Sequence, residues 1–218
     1  MIVTAHQPNF LPGASVLSKA MASDTIIWLD EVQYSKNGWT NRNRMPDGSW
    51  LTVPIEKATD GEPINRVRIA EGACRWRFKA VATLDQHYRG GDCWLGEMAA
   101  EITRPYRLLI ALNLALLRIV FDELGERTPW VFQSHLDGGH AVKAVSREPA
   151  DLAPISERLA MMVEEVGGSV YLSGPSGRNY LDETPFHERG LDVAYWKHEG
   201  PNPCALELLP LSEPAITI

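Results

Sequence analysis

Cysteine is scarce, and its three occurrences form no pattern: Cys74, Cys93 and Cys204 are an odd number, widely separated and without a CxxC pair. Neither a disulfide framework nor a cysteine zinc site is suggested, and reduced thiols are the expectation. A basic surplus is also missing. With 21 Lys and Arg against 28 Asp and Glu, the chain carries a formal charge of −7, which argues against a broad nucleic-acid surface because neutralising many phosphates requires clustered cations. Long apolar runs are absent too, none approaching the roughly 18 residues that span a bilayer. Met1 to Ala5 has neither the basic start nor the apolar stretch of a secretory signal. The cytoplasm is therefore the expected compartment, with no membrane span. No internal repeat or low-complexity tract stands out.

What is present is ordinary globular composition, 44% hydrophobic and 22% charged over 218 residues, enough to bury a self-sufficient core. One domain over residues 1–218 is the expectation. Ile2 to Ala5 reads as a short strand, and Pro8 and Pro12 impose a loop after it. Ala14 to Ala22 favours helix, and Thr25-Ile26-Ile27-Trp28-Leu29 is a β-branched and aromatic run suited to a buried strand. A β-loop-α-β unit places the first loop at the carboxyl edge of a parallel sheet, where ligands usually bind. Further strands are expected at 50–53 and 67–69, paired as a hairpin or at a sheet edge, and at 170–172 and 193–196. Helices are expected at 75–87, 107–124 and 152–166. The longest shows Leu108, Leu112, Ala115, Ile119 and Glu123 at near-helical spacing, flanked by Leu109, Leu116 and Val120. Residues 133–150 read as a flexible insertion, and the prolines after Pro201 disfavour regular structure. The fold class is α/β: a mainly parallel sheet flanked by helices, with a small helical insertion.

Five segments could carry chemistry. His6-Gln7 sits at the end of the first strand, and Asp30-Glu31 follows the second, so an imidazole and two carboxylates emerge at one edge if those strands are parallel neighbours. Taken alone, the two acids fit capping and solvation better than chemistry. Trp39-Thr40-Asn41-Arg42-Asn43-Arg44 concentrates guanidinium, amide and indole groups without an amphipathic period. Arginine can hold a carboxylate or phosphate bidentately, and tryptophan can stack on a planar ligand. A polar loop pairing its arginines with Asp30 and Glu31 is the alternative. Tyr171 to Leu181 places Ser173, Gly174, Ser176 and Tyr180 around a tight turn open to close backbone approach by an anion. It contains neither the GxxxxGK[ST] phosphate loop nor the GxSxG elbow. His135-Leu136-Asp137-Gly138-Gly139-His140 has ligating residue types but no identifiable third partner, so no metal is assigned, and nothing specifies a cofactor.

Three of these segments together, His6-Gln7-Pro8-Asn9-Phe10-Leu11-Pro12, then Asp30 to Lys36 with Trp39 and Asn41 to Arg44, then YLSGPSGRNYLDE, resemble the WbqC-like family of bacterial proteins. The likeness runs from Met1 to about Trp196. It departs after Pro12, where Gly13-Ala14-Ser15-Val16-Leu17 is smaller than the family's aromatic-rich run, and in the proline-rich end. The resemblance implies a biosynthetic enzyme of polysaccharide or specialised-metabolite chemistry. The reading that results is a small-molecule transferase passing an acyl, aminoacyl or related group to an amine or hydroxyl. His6 and Asp30 are its candidate catalytic residues. Gln7, Gln33, Trp39, Asn41, Arg42, Asn43, Ser173, Gly174, Ser176 and Tyr180 are candidates to hold a substrate with an anionic group. The alternatives are an ATP-dependent ligase or nucleotidyltransferase, by loose analogy with nucleotidylyltransferase-like folds lacking here their HxGH signature, and a non-catalytic module that binds an anionic metabolite or partner protein.

Overall fold

The computed structural model describes residues 1–57, 62–89, 92–139 and 153–209. The chain divides into two compact units. One comprises residues 1–7, 15–33 and 128–201; the other comprises residues 8–14, 34–127 and 202–218. In chain order the elements are β1 (Ile2–His6), α1 (Ala14–Met21), β2 (Thr25–Trp28), β3 (Arg42–Arg44), β4 (Trp50–Thr52), α2 (Cys74–His87), α3 (Asp92–Thr103) and α4 (Leu109–Glu123). There follow β5 (Trp130–Phe132), α5 (Ala153–Glu165), β6 (Val170–Ser173), α6 (Thr184–His187) and β7 (Asp192–Tyr195).

The first unit is a five-stranded sheet in the order β5-β2-β1-β6-β7, with every neighbouring pair parallel. Numbered within the sheet alone, that order is 3-2-1-4-5, the doubly wound arrangement. The α/β fold with a parallel sheet is as expected, and β1 and β2 are the parallel neighbours the opening sequence predicts, with His6 opposite Trp28. Successive side chains on a strand alternate between faces. Val3 and Ala5 enter the core with Leu159, Met162 and Val163 of α5, Tyr171 and Phe186, so Thr4 and His6 point to the opposite face. The Tyr171 and Phe186 rings stack at 5.2 Å.

Of the stretch 133–150 expected as a flexible insertion, residues 133–139 are described, and they are packed. Gln133, Leu136, Gly138 and Gly139 are buried, and the Glu165 carboxylate accepts the backbone N–H groups of Asp137 and Gly138, both at 2.9 Å. A Cβ on Gly138 would stand 2.8 Å from that of Met161, and one on Gly139 would stand 2.0 Å from the Gln133 carbonyl. Gly138 serves close packing on α5 and Gly139 close packing on Gln133, rather than mobility. Residues 140–152, including His140, lie outside the described residues.

The second unit holds a two-stranded antiparallel hairpin, β3-β4, and helices α2 to α4. Here the expected pairing is corrected. Trp50–Thr52 pairs with Arg42–Arg44, not with 67–69, while Ile69 and Arg68 make only isolated bridges to Ile55 and Leu108. The cause is the turn Pro46-Asp47-Gly48-Ser49, where Gly48 takes φ +81° and Asp47 accepts the Ser49 N–H at 2.9 Å. Hairpin alternation also accounts for Arg42-Asn43-Arg44, with Asn43 buried and the arginines on the opposite face. In α4 the core face is Leu109, Leu112, Leu116, Ile119 and Val120, while Leu108 precedes the helix and is exposed. Helix α3 and strand β5 were not foreseen, and the helical part of this unit is larger than a small insertion. Cys74 and Cys93 are free and exposed; Cys204 is free and buried.

Candidate functional site

A doubly wound sheet binds ligands beyond the carboxyl ends of its strands, at the point where successive strands turn to opposite sides. Here that point lies between β1 and β6, the ends marked by His6 and Ser173. The two strands pair only at Ile2–Val170 and Val3–Tyr171. Beyond those pairs β1 runs on beside β2 to His6, and β6 runs on beside β7 to Ser173.

His6 is half-buried, and its Nδ1 lies 2.9 Å from the Gln7 carbonyl oxygen. A carbonyl only accepts, so Nδ1 carries the proton of the neutral ring and Nε2 keeps the lone pair. Burial, with the Lys19 cation as a second cause, lowers the His6 pKa to about 4. The ring is therefore uncharged at neutral pH. Lys19, from α1, is only 5% exposed and donates from Nζ to the Ala5 carbonyl at 3.1 Å. Burial lowers its pKa to about 8. This residue was not among the sequence candidates, because a lysine in a short helix ordinarily reads as solvated. No local signal could have found it; the fold alone sets its distance from β1.

Asp30 is buried two residues beyond β2. Its carboxylate accepts the Ser134 N–H at 3.0 Å and the Ser134 hydroxyl at 2.7 Å, which ties the ends of β2 and β5 together. Gln7 is half-buried and Gln33 exposed. On the β6 side Ser173 is buried, its hydroxyl donating to the Gly174 carbonyl at 3.2 Å. A short 3-10 turn, Pro175–Asn179, follows. The Gly177 N–H is spent on the Gly174 carbonyl at 3.0 Å, and a Cβ on Gly177 would fall 2.1 Å from the Ser173 hydroxyl. Ser176 and Tyr180 are exposed. Arg178 stacks over the Tyr195 ring at 4.1 Å, and Tyr195 donates to Glu183 at 2.6 Å.

The other sequence candidates belong to the second unit. Asn41 is buried, accepting from the Tyr34 hydroxyl and donating to the Val53 carbonyl, each at 2.9 Å. Asn43 donates to the Leu11 carbonyl, and its own Oδ1 accepts the Arg44 N–H at 2.7 Å. Leu11 is fully buried with φ +45°, a left-handed conformation costly for a branched residue. Asn113 of α4, another residue unforeseen, donates to the Pro8 and Thr40 carbonyls at 2.7 and 2.8 Å. Phe10 N–H reaches the Trp39 carbonyl at 3.1 Å. The PNFLP and WTNRNR segments thus meet through backbone carbonyls held by buried amides. Trp39 is 54% exposed and lies 5.4 Å from Trp50. The Arg42 guanidinium stands 4.1 Å from the Trp50 ring and donates to the Asn37 carbonyl at 2.5 Å. A separate cleft of about 300 Å³ includes Arg68, Arg77 and Arg107 in its wall, but Arg77 spends its terminal nitrogens on the Ile102 and Tyr106 carbonyls.

Residues 7–203 match the WbqC-like protein family. The chain belongs to this family. Among curated proteins this WbqC-like chain is similar to the uncharacterized protein Rv1507c of Mycobacterium tuberculosis, 27% identical over 210 residues, which is 91% of this chain and 83% of that one. No solved structure matches it. Among the described residues no helix is long and apolar enough to cross a membrane, and no group of three His, Cys, Asp or Glu could hold a metal ion.

Proposed function

We propose that this WbqC-like protein is a small-molecule transferase of polysaccharide or specialised-metabolite biosynthesis. It would pass an acyl, aminoacyl or related group from an activated donor to an amine or hydroxyl. The observation that carries this reading is the His6 ring at the end of the central strand, its Nδ1–H fixed on the Gln7 carbonyl and Nε2 left as the basic nitrogen. In the proposed step Nε2 takes the proton of the acceptor N–H or O–H as that atom bonds to the donor's carbonyl carbon. The donor's leaving group then departs, and the proton on Nε2 is returned to it. The low pKa of the ring keeps the lone pair free at neutral pH. An anionic substrate would offset the field of Lys19 and make Nε2 a stronger base.

Asp30, braced by Ser134, is proposed as the second acid-base group. Gln7, Gln33, Ser173, Gly174, Ser176 and Tyr180 are proposed as substrate contacts of the sheet unit. In the second unit Trp39 and Arg42 are proposed as substrate contacts, with Asn41 and Asn43 supporting them. A second reading, ATP-dependent ligation or nucleotidyl transfer, draws support from the 3-2-1-4-5 strand order, which many nucleotide-binding sheets share.

The test is to incubate the protein with acyl and aminoacyl thioesters and amino-sugar acceptors, with and without Mg-ATP, and to weigh the products by mass spectrometry. A product formed from donor and acceptor alone is the expected result. A product that requires ATP and releases AMP or ADP selects the ligase. Saturable binding of donor or acceptor without turnover overturns both enzymatic readings and leaves a binding module.

A further inference from the structure

Where the β1–β6 ladder stops, two carbonyls lose the partners a longer ladder would supply, and side chains replace them. The Thr4 hydroxyl donates to the Leu172 carbonyl at 2.8 Å, and Lys19 Nζ donates to the Ala5 carbonyl. The His6 carbonyl accepts the Leu29 N–H on the β2 side. Successive carbonyls of a strand point in opposite directions, so that of Ala5 points toward β6. The Lys19 ammonium consequently sits in the split between the two central strands, on the His6 side of the sheet.

An ammonium has three donors. Among the described residues this one is matched to a single neutral acceptor and pairs with no carboxylate. Burying an uncompensated cation is costly. A carbonyl alone does not require it, as the neutral hydroxyl of Thr4 does the same work for Leu172 one strand away. The unspent part of Lys19 is a positive charge and two N–H donors, the complement of an oxyanion.

We propose that Lys19 is the anion-binding residue of this site, its ammonium holding a carboxylate or phosphate group of the substrate in the β1–β6 split beside His6. The proposal rests on the transferase reading only for the role of His6; the anion site stands whatever group is transferred.

It is tested on the isotopically labelled full chain by titrating inorganic phosphate, and separately acetate, at pH 7 against matched chloride while following the His6 ring resonances. The expected result is a saturable shift with at least one of the two anions, the tighter identifying the preferred group. In Lys19→Met the affinity should fall at least about tenfold, the loss of one charge-assisted hydrogen bond. Equal affinity in the variant overturns the proposal. So does the absence of a saturable shift in the parent chain with either anion, which decides the matter even if Lys19→Met fails to fold. Neither measurement involves turnover, so failure of the transferase reading would be seen separately.

Discussion

The two units bury polar side chains to different ends. In the second unit Asn41, Asn43 and Asn113 direct their amides to backbone carbonyls of the chain itself, at Val53, Leu11, Pro8 and Thr40. In the sheet unit His6 and Lys19 use one nitrogen or one hydrogen each on the chain and keep further capacity. Amide N–H groups donated to backbone carbonyls fix loops, although among the described residues Asn113 Oδ1 itself is buried without a partner, whereas a basic lone pair or ammonium donors in hand are available to a ligand. Polar density in a sequence motif therefore does not by itself mark chemistry. The WTNRNR segment is the denser of the two, and half of it is scaffolding.

Loss of His6 is expected to have the largest effect on activity. His6→Gln should lower kcat by about 10²–10⁴-fold, the usual worth of a positioned general base, with the melting temperature little changed. A collapse in stability with activity intact would make His6 a packing residue.

Asn113→Ala should do the reverse, because it orphans the carbonyls of Pro8 and Thr40. A loss of roughly 2–4 kcal/mol is expected, read as a lowered denaturant midpoint. An unchanged midpoint would show that those amide contacts are dispensable.

The cost of burying Lys19 depends on pH. Its folded pKa, about 8, lies below the ordinary 10.5, so the unfolded chain binds the proton more tightly. Its burial therefore weighs against the fold fully below pH 8, and that burden lifts as pH rises toward 10.5. The stability of Lys19→Met relative to the parent should be highest at pH 7 and decline by up to about 3 kcal/mol across that window. A pH-independent difference would place the ammonium in solvent.

Arg42→Lys carries the smallest stability effect, about 0.5–1 kcal/mol for the cation–π contact of a half-buried guanidinium with Trp50. Substrate binding should still weaken roughly tenfold or more, since lysine lacks the planar fork of donors. Unchanged binding would move Arg42 into the scaffolding class with Asn43.

Much of the sheet unit was legible in the sequence, because β1, β2, β6 and β7 are β-branched or aromatic runs closed by turn residues, and α5 shows a clear helical face. That β1 ends at His6, at the carboxyl edge of the sheet, followed from the first loop. Strand β5 escaped because three residues, Trp130-Val131-Phe132, are too short to show a period. The β3-β4 hairpin was legible in Pro46-Asp47-Gly48, a turn signal with a known mechanism, but the arginines around it read as a loop. Lys19 and Asn113 were not legible at all. Their partners, Ala5, Pro8 and Thr40, are 14, 105 and 73 residues away, and only the packing of α1 and α4 brings them together.

The proposed chemistry requires His6 to be a neutral base with its lone pair on Nε2. Long-range ¹⁵N–¹H NMR of the ring settles this without a substrate. The predicted result is the Nδ1–H tautomer at pH 7, uncharged until the pH falls to about 4. A proton resident on Nε2, or a ring that titrates at the ordinary value of 6.5, would contradict it.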